Sequence, residues 1–179
     1  MFAKKLLGTS VLVTATALTG AAATQDVNSH WYTKLRKPDF QPPAATFPLV
    51  WPALYASIAL ASAAVLVPQA KKRATQKRRE SLGVQVTRPD ADPASDPARG
   101  YRRALLLNLA LNAGWSWTFF RQHDLDLALG TATGLAVSST DLARRAGRVH
   151  RGLGWALVPY AAWCWFATAL TARIRTLNS

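Results

Sequence analysis

The chain is poor in the residues that build disulfides, metal sites and acid–base centres: it has one cysteine, three histidines and nine acidic residues among 179. A single cysteine, Cys164, excludes an internal disulfide and a cysteine-rich metal site. His30, His123 and His150 fall in predicted loops or at the ends of apolar segments, without the spacing of paired metal ligands. The sequence also lacks a phosphate-binding glycine loop and a Ser-His-Asp order. We therefore predict no metal, no required cofactor and no conventional catalytic residues.

Charge is nearly absent from five long apolar segments, although half of the residues are hydrophobic and the mean hydropathy is only +0.03. The segments are residues 6–24, 47–67, 104–120, 127–143 and 153–172. Four contain no Lys, Arg, Asp or Glu, and the other contains Asp141. Because about 20 apolar residues cross a bilayer as a helix, we predict an all-α fold, an integral membrane bundle of five transmembrane helices in one domain, 1–179.

The first apolar segment, residues 6–24, has an alternative interpretation. It follows Lys4 and Lys5 and ends in three alanines, which also fits a cleavable secretory signal. Its length of about 19 residues exceeds a signal core and is close to that of a span. We favour a retained first helix.

The basic residues lie between the apolar segments. The net charge of +13 and the pI near 10.9 would suit a nucleic-acid binder, but no single basic face is formed, so we do not expect nucleic acid as the main partner. Residues 68–103 are rich in charge and interrupted by proline, which predicts a disordered, basic cytoplasmic loop insertion. Within it, residues 71–79 (KKRATQKRR) are interpreted as a topology signal that contacts lipid headgroups. Binding of RNA or anionic lipid by this loop is the alternative.

The distribution of positive charge predicts the orientation. The N-terminus, the second loop and the fourth loop contain 16 of the 22 lysines and arginines. By the positive-inside rule the N-terminus is then cytoplasmic, and the C-terminus and the first loop lie outside. We predict an integral protein of a bacterial cell membrane.

The third apolar segment has a polar and aromatic face. Asn108, Asn112, Trp115 and Phe119 are spaced by four, three and four residues, so they share one side of a helix. Polar groups at membrane depth must point into the bundle and find partners. Interhelical hydrogen bonding alone and a lined pocket both explain this face.

Three tryptophans lie at least four residues inside the predicted spans: Trp51, Trp115 and Trp163. Aromatic belts at the membrane surface do not account for such positions. The three rings indicate either a cavity for a flat, conjugated, largely apolar ligand or plain aromatic packing.

Several motifs resemble the tryptophan-rich sensory protein family, also called the translocator, peripheral-type benzodiazepine receptor or TspO/MBR family. They are Trp31-Tyr32-x-x-Leu35-x-Lys37-Pro38-x-Phe40-x-Pro42-Pro43, then Phe47 and Val50-Trp51-x-x-Leu54-Tyr55, Asn112-x-x-Trp115-Ser116-x-x-Phe119-Phe120, Ala146-Gly147 and Pro159-Tyr160-x-x-Trp163-x-x-Phe166-Ala167. They follow the family's order from residue 31 to residue 170.

The resemblance implies a five-helix bundle, often a homodimer, that binds porphyrins such as protoporphyrin IX in a cavity under the first loop, for transport, sensing or disposal. The expected ligand-binding residues are Trp31, Lys37, Pro42, Pro43, Phe47, Trp51, Tyr55, Asn112, Trp115, Phe119, Trp163 and Ala167. Some bacterial members promote light-dependent porphyrin breakdown. A degrading enzyme that uses Trp51 and Trp163 is therefore one alternative function, and an interaction protein acting through the basic loop is another.

The sequence departs from the family pattern in two places. The second loop is longer and more basic than the family leads us to expect. In the fifth segment, Thr171 stands where the family usually has Asn. No Lys or Arg follows Tyr160 until Arg173, so the sterol pattern is not met and we do not expect cholesterol binding.

Overall fold

The computed structural model describes residues 1–24, 29–82 and 97–179, and within these ranges the chain is all-helical, which confirms the predicted class. The helices are α1 (Phe2–Ala23), α2 (His30–Lys34), α3 (Thr46–Ser81), α4 (Pro97–Phe120), α5 (Leu125–Val149) and α6 (Arg151–Asn178). The five long helices contain the five predicted apolar segments almost entirely. The short α2 lies in the first loop.

Three of the described helices are long and apolar enough to cross a membrane: Phe2–Ala23, Thr46–Pro68 and Arg151–Asn178. They contain the first, second and fifth predicted spans. The other two long helices, α4 and α5, have mixed compositions. Arg99, Arg102 and Arg103 lie in the first two turns of α4, and α5 is rich in Gly, Ala, Ser and Thr. The number of five spans therefore stays a prediction.

The basic insertion is partly helical, contrary to the disorder predicted for residues 68–103. α3 continues past Val67 to Ser81, and α4 begins at Pro97. The sequence 69–80 is rich in Ala, Gln, Lys, Arg and Glu, which favour helix. Extending an existing helix also avoids the cost of nucleation. The remainder of the predicted loop, residues 83–96, falls outside the described residues.

The five long helices pack in a closed ring. α1 contacts α3 and α4, α5 contacts α4 and α6, and α6 completes the ring by packing on α3. Fully buried side chains, among them Ile58, Leu142, Leu157 and Tyr160, fill the interior. Large apolar side chains on the outer faces of the five helices are exposed, as lipid contact would require.

The connection between α5 and α6 requires glycine. A Cβ placed on Gly154 would lie 2.8 Å from the Cα of Gly147, closer than real Cβ atoms approach another atom. His150 joins the two helices, and its Nδ1 accepts a hydrogen bond from the Gly152 backbone N–H at 3.1 Å. The two backbones can therefore turn within two residues and run side by side.

Candidate ligand cavity beneath the first loop

The first loop connects α1 to α3, and its residues 29–45 form a lid. Local hydrogen bonds fix the backbone of this lid. The Ser29 side chain caps α2 by accepting from the Tyr32 backbone N–H at 3.3 Å. The segment that follows contains Pro38, Pro42 and Pro43, which cannot continue a regular helix. It folds as two turns, closed by Gln41 N–H to the Pro38 carbonyl at 3.0 Å and Thr46 N–H to the Pro43 carbonyl at 2.9 Å.

The lid is held at its middle by the end of α6. The side chain of Asn178 accepts from the Arg36 backbone N–H and donates to the Arg36 carbonyl, both at 2.9 Å. This pair of bonds uses both ends of one amide, so it fixes the position and the orientation of the lid backbone.

Aromatic contacts hold the two ends of the lid. The Trp31 ring stacks on His123 with centroids 4.2 Å apart and meets Phe119 edge-on at 5.6 Å. At the other end, Phe40 meets Phe166 edge-on at 6.3 Å. The lid is therefore packed on both α4 and α6.

A cavity of about 480 Å³ lies beneath this lid, between α1, α3, α4 and α6. Its walls are mainly apolar and aromatic. They consist of Ala17, Gly20, Ala21, Thr24, Tyr32, Gln41, Ala44, Phe47, Pro48, Trp51, Tyr55, Trp115, Ser116, Phe119, Phe120, Leu170, Thr171 and Ile174. Among the described residues, no charged side chain lines the cavity.

Flat rings form two parts of the wall. On α3, Trp51 and Tyr55 stack with centroids 5.2 Å apart and an interplanar angle of 29°. On α4, Trp115 and Phe119 stack at 5.8 Å and 28°. A spacing of four residues places each pair on one face of its helix, so each helix turns an aromatic surface toward the cavity.

The structure brings five of the twelve predicted binding residues together in the cavity wall: Phe47, Trp51, Tyr55, Trp115 and Phe119. The other seven do not line it. Trp31, Lys37, Pro42 and Pro43 lie in the lid, where the Lys37 Nζ is 3.9 Å from the centroid of the Tyr32 ring. Tyr32 itself lines the cavity, so one residue separates Lys37 from the cavity.

Asn112 lies behind the cavity wall, in a chain of hydrogen bonds. The Tyr55 hydroxyl donates to Asn112 Oδ1 at 2.9 Å, and Asn112 Nδ2 donates to the Tyr160 hydroxyl at 3.3 Å. Tyr160 donates to Asn108 Oδ1 at 2.8 Å, and Asn108 Nδ2 donates to Ser138 Oγ at 3.4 Å. The two amides therefore form hydrogen bonds between helices, while Trp115 and Phe119 on the same face line a pocket. Interhelical hydrogen bonding explains the amides, and a lined pocket explains the aromatic rings.

Trp163 and Ala167 also lie outside the wall. The Trp163 ring meets Phe47 edge-on at 5.9 Å and lies 5.5 Å from the Phe166 ring, so it supports a lining residue from behind. The Ala167 carbonyl accepts from the Thr171 hydroxyl at 2.8 Å. Thr171, the residue that departs from the family pattern, does line the cavity.

The sequence interpretation missed the contribution of α1. Ala17, Gly20, Ala21 and Thr24 form one wall of the cavity. Their spacing of three, four and seven residues from Ala17 places them on one helical face, and their small size leaves room beside the rings. That spacing was the available signal, but alanine is so common in this helix that the pattern was not distinctive.

Two buried polar atoms of lining residues have no hydrogen-bond partner among the described residues: Gln41 Oε1 and Trp115 Nε1. The other end of the Gln41 amide donates to the Tyr32 hydroxyl at 3.4 Å. Burial raises the pKa of Tyr32, and this hydrogen bond opposes the rise. Tyr32 is therefore neutral at physiological pH, which keeps the roof of the cavity uncharged.

Comparison with known proteins matches the model of the TspO/MBR family to residues 9–177. Three relatives align over most of their length. The "Uncharacterized membrane protein YtaB" of Bacillus subtilis is 28% identical over 98% of this chain and 99% of its own. The "Tryptophan-rich protein TspO" of Bacillus cereus is 26% identical over 85% of this chain and 83% of its own. The protein of the same name from Chlorobaculum tepidum is 29% identical over 93% of this chain and 91% of its own.

Proposed function

Because the chain belongs to the TspO/MBR family, we propose that it binds a porphyrin or related tetrapyrrole, such as protoporphyrin IX, in the cavity beneath the first loop. The binding would serve transport, sensing or disposal of the tetrapyrrole. The observation that carries this proposal is the aromatic cavity of about 480 Å³, which has the size and the apolar lining of a small-molecule site.

The arrangement of the rings suits a planar guest. Trp51 with Tyr55 on α3, and Trp115 with Phe119 on α4, present stacked faces to the same cavity. Offset stacking and burial of apolar area would supply the affinity. The macrocycle would lie against these surfaces.

The carboxylates of such a ligand would stay near the lid. Lys34 and Arg36 are exposed there, and Lys37 lies beside the Tyr32 ring. An ionised carboxylate is strongly disfavoured in a cavity without charged lining, whereas lid cations attract it. The proposed pose therefore has the propionates at the lid and the opposite edge of the ring inside.

The test is a titration of the purified protein in lipid nanodiscs with protoporphyrin IX, followed by tryptophan quenching against a blank of empty nanodiscs. We expect saturation at one porphyrin per chain. Trp51→Ala should weaken binding roughly tenfold, because it removes a stacking surface. Trp155→Ala is the control, since Trp155 is 72% exposed on the outside of α6. Quenching that does not saturate, or equal loss in both variants, would contradict the proposal.

Light-dependent porphyrin oxidation is a second candidate, favoured by the contact of Trp51 with Tyr55 in the cavity wall. Trp163 lies one residue behind the wall, so Trp51 is the better placed of the two candidate tryptophans. Illuminating the aerobic complex should produce bilin-like absorbance that is lost in Trp51→Phe and kept in Trp163→Phe. A wild-type complex that gives no new absorbance would leave a binding protein only.

We also propose that α1, α4, α5, α6 and the first part of α3 each cross the membrane. The exposed apolar side chains on the outer faces of all five helices support this arrangement, as do the cationic ends of the helices. The N-terminus would be cytoplasmic, and the lid and the C-terminus would lie outside.

A further inference from the structure

One hydroxyl of the cavity wall is nearly buried and unused. Ser116 is 7% exposed and lines the cavity, yet within the described part of the chain its Oγ has no hydrogen-bond partner. Ser116 Oγ is not one of the fully enclosed atoms that lack a hydrogen-bond partner. This oxygen is therefore accessible from the cavity. Other buried hydroxyls, such as those of Thr9 and Ser139, donate to backbone carbonyls.

The free hydroxyl favours an oxygen acceptor in the guest. A hydroxyl can donate a hydrogen bond, and leaving it unpaired in an apolar site is unfavourable. A guest atom that accepts from Ser116 therefore gains affinity. The Nε1 of the adjacent Trp115 also has no partner among the described residues, but it is enclosed and a guest in the cavity does not reach it.

The acceptor must be uncharged. A carboxylate would need a positive partner, and no charged side chain lines this cavity among the described residues. Lys37 lies in the lid, beside the ring of the lining residue Tyr32. The cavity therefore distinguishes two ends of a guest: an anionic end at the lid and a neutral, oxygen-bearing end beside α4.

We propose that Ser116 determines specificity by donating a hydrogen bond to a carbonyl oxygen on the buried edge of a tetrapyrrole. The favoured class is a porphyrin or open-chain tetrapyrrole that has a ring carbonyl (acetyl, formyl or lactam) opposite its propionates. This inference rests on the proposed function and names the ligand subclass of the same site.

A pair of porphyrins that differ mainly in this group provides the test. Diacetyldeuteroporphyrin IX has acetyl groups where mesoporphyrin IX has ethyl groups of similar size, and both have the same propionates. Each is titrated into wild type and Ser116→Ala in nanodiscs. We expect the variant to bind the diacetyl compound roughly threefold to tenfold more weakly, with a change of less than about twofold for mesoporphyrin.

A matched variant controls for general disturbance of the bundle. Ser139→Ala removes another buried hydroxyl, but Ser139 does not line the cavity. This control should keep the wild-type ratio of the two affinities. Thermal unfolding in the same nanodiscs verifies that both variants are folded.

The outcomes separate the two proposals. If Ser116→Ala loses both porphyrins equally, or loses neither, Ser116 does not bind a carbonyl and this inference is overturned, while porphyrin binding stands. If wild type binds neither compound saturably, the proposed function itself fails. A selective loss of the diacetyl compound supports the inference.

Discussion

At the scale of single residues, Tyr160 connects the polar groups of the interior. It is fully buried, accepts from Asn112 and donates to Asn108, so one hydroxyl satisfies amides from two turns of α4. Asn112 in turn accepts from Tyr55 in the cavity wall. The position of the Tyr55 ring therefore depends on a hydroxyl that lies outside the cavity wall.

Tyr160→Phe should lower the free energy of unfolding by about 1–3 kcal/mol, because Asn108 Oδ1 loses the donor that it uses. Tyr101→Phe is the control, since Tyr101 is also buried but its hydroxyl shares one bond, with Ser62 at 3.0 Å. Thermal unfolding of both variants in one detergent measures the difference. Equal destabilisation would contradict the role assigned to Tyr160.

The lining tryptophans could be predicted from the sequence only in part. Depth within a span distinguished Trp51, Trp115 and Trp163 from interfacial residues, and two of them do line the cavity. Trp163 does not line the cavity, because the depth of a residue in the membrane does not determine which way its helix is rotated. Phe47 lies between Trp163 and the cavity, a contact between α3 and α6 that no local pattern encodes.

At the scale of elements, the α5–α6 connection depends on the close approach of two glycines. Gly154→Ala should lower the free energy of unfolding by about 1–3 kcal/mol, because the new Cβ meets the backbone of Gly147, which cannot move aside.

Gly130→Ala provides the matched control for this helix pair. A Cβ at Gly130 would have no neighbour within 4 Å, so alanine should be neutral or stabilise α5 by up to about 1 kcal/mol. Chemical unfolding of the two variants in detergent decides between these outcomes. Destabilisation at Gly130 that matches Gly154 would show that the backbone contact is not the cause.

The lid should open more readily when its bond to α6 is removed. Asn178→Ala deletes both hydrogen bonds to Arg36, so amide hydrogen exchange at Arg36 should increase roughly fivefold. Thr176→Ala is the control, because that hydroxyl bonds only to the Arg173 carbonyl of its own helix. Unchanged exchange at Arg36 in Asn178→Ala would place the anchor of the lid elsewhere.

The extent of the helices was also only partly predictable. Apolar length located the membrane part of α3 and the start of α6 within a few residues. It could not show that α3 continues to Ser81, because a composition rich in charge was interpreted as disorder. Helix propensity and an existing helical end outweigh the lack of apolar residues there.

At the scale of the whole molecule, the orientation prediction concerns where the lid faces. Lys34 in the lid and Arg79 near the end of α3 are both exposed. With Cys164 buried, a cysteine placed at either position reports its own side of the membrane. A membrane-impermeant maleimide should label Lys34→Cys in spheroplasts and label Arg79→Cys only after lysis. The opposite pattern would reverse the proposed topology.

The proposed function requires that the rings of α3 and α4 enclose a planar tetrapyrrole beneath the lid. A crystal structure of the protein in a lipid phase with protoporphyrin IX bound tests this requirement. We predict the macrocycle inside the cavity, in van der Waals contact with Trp51 and Phe119, with its propionates toward Lys37. A porphyrin found only on the lipid-facing surface, with the cavity closed by its own side chains, would contradict the account.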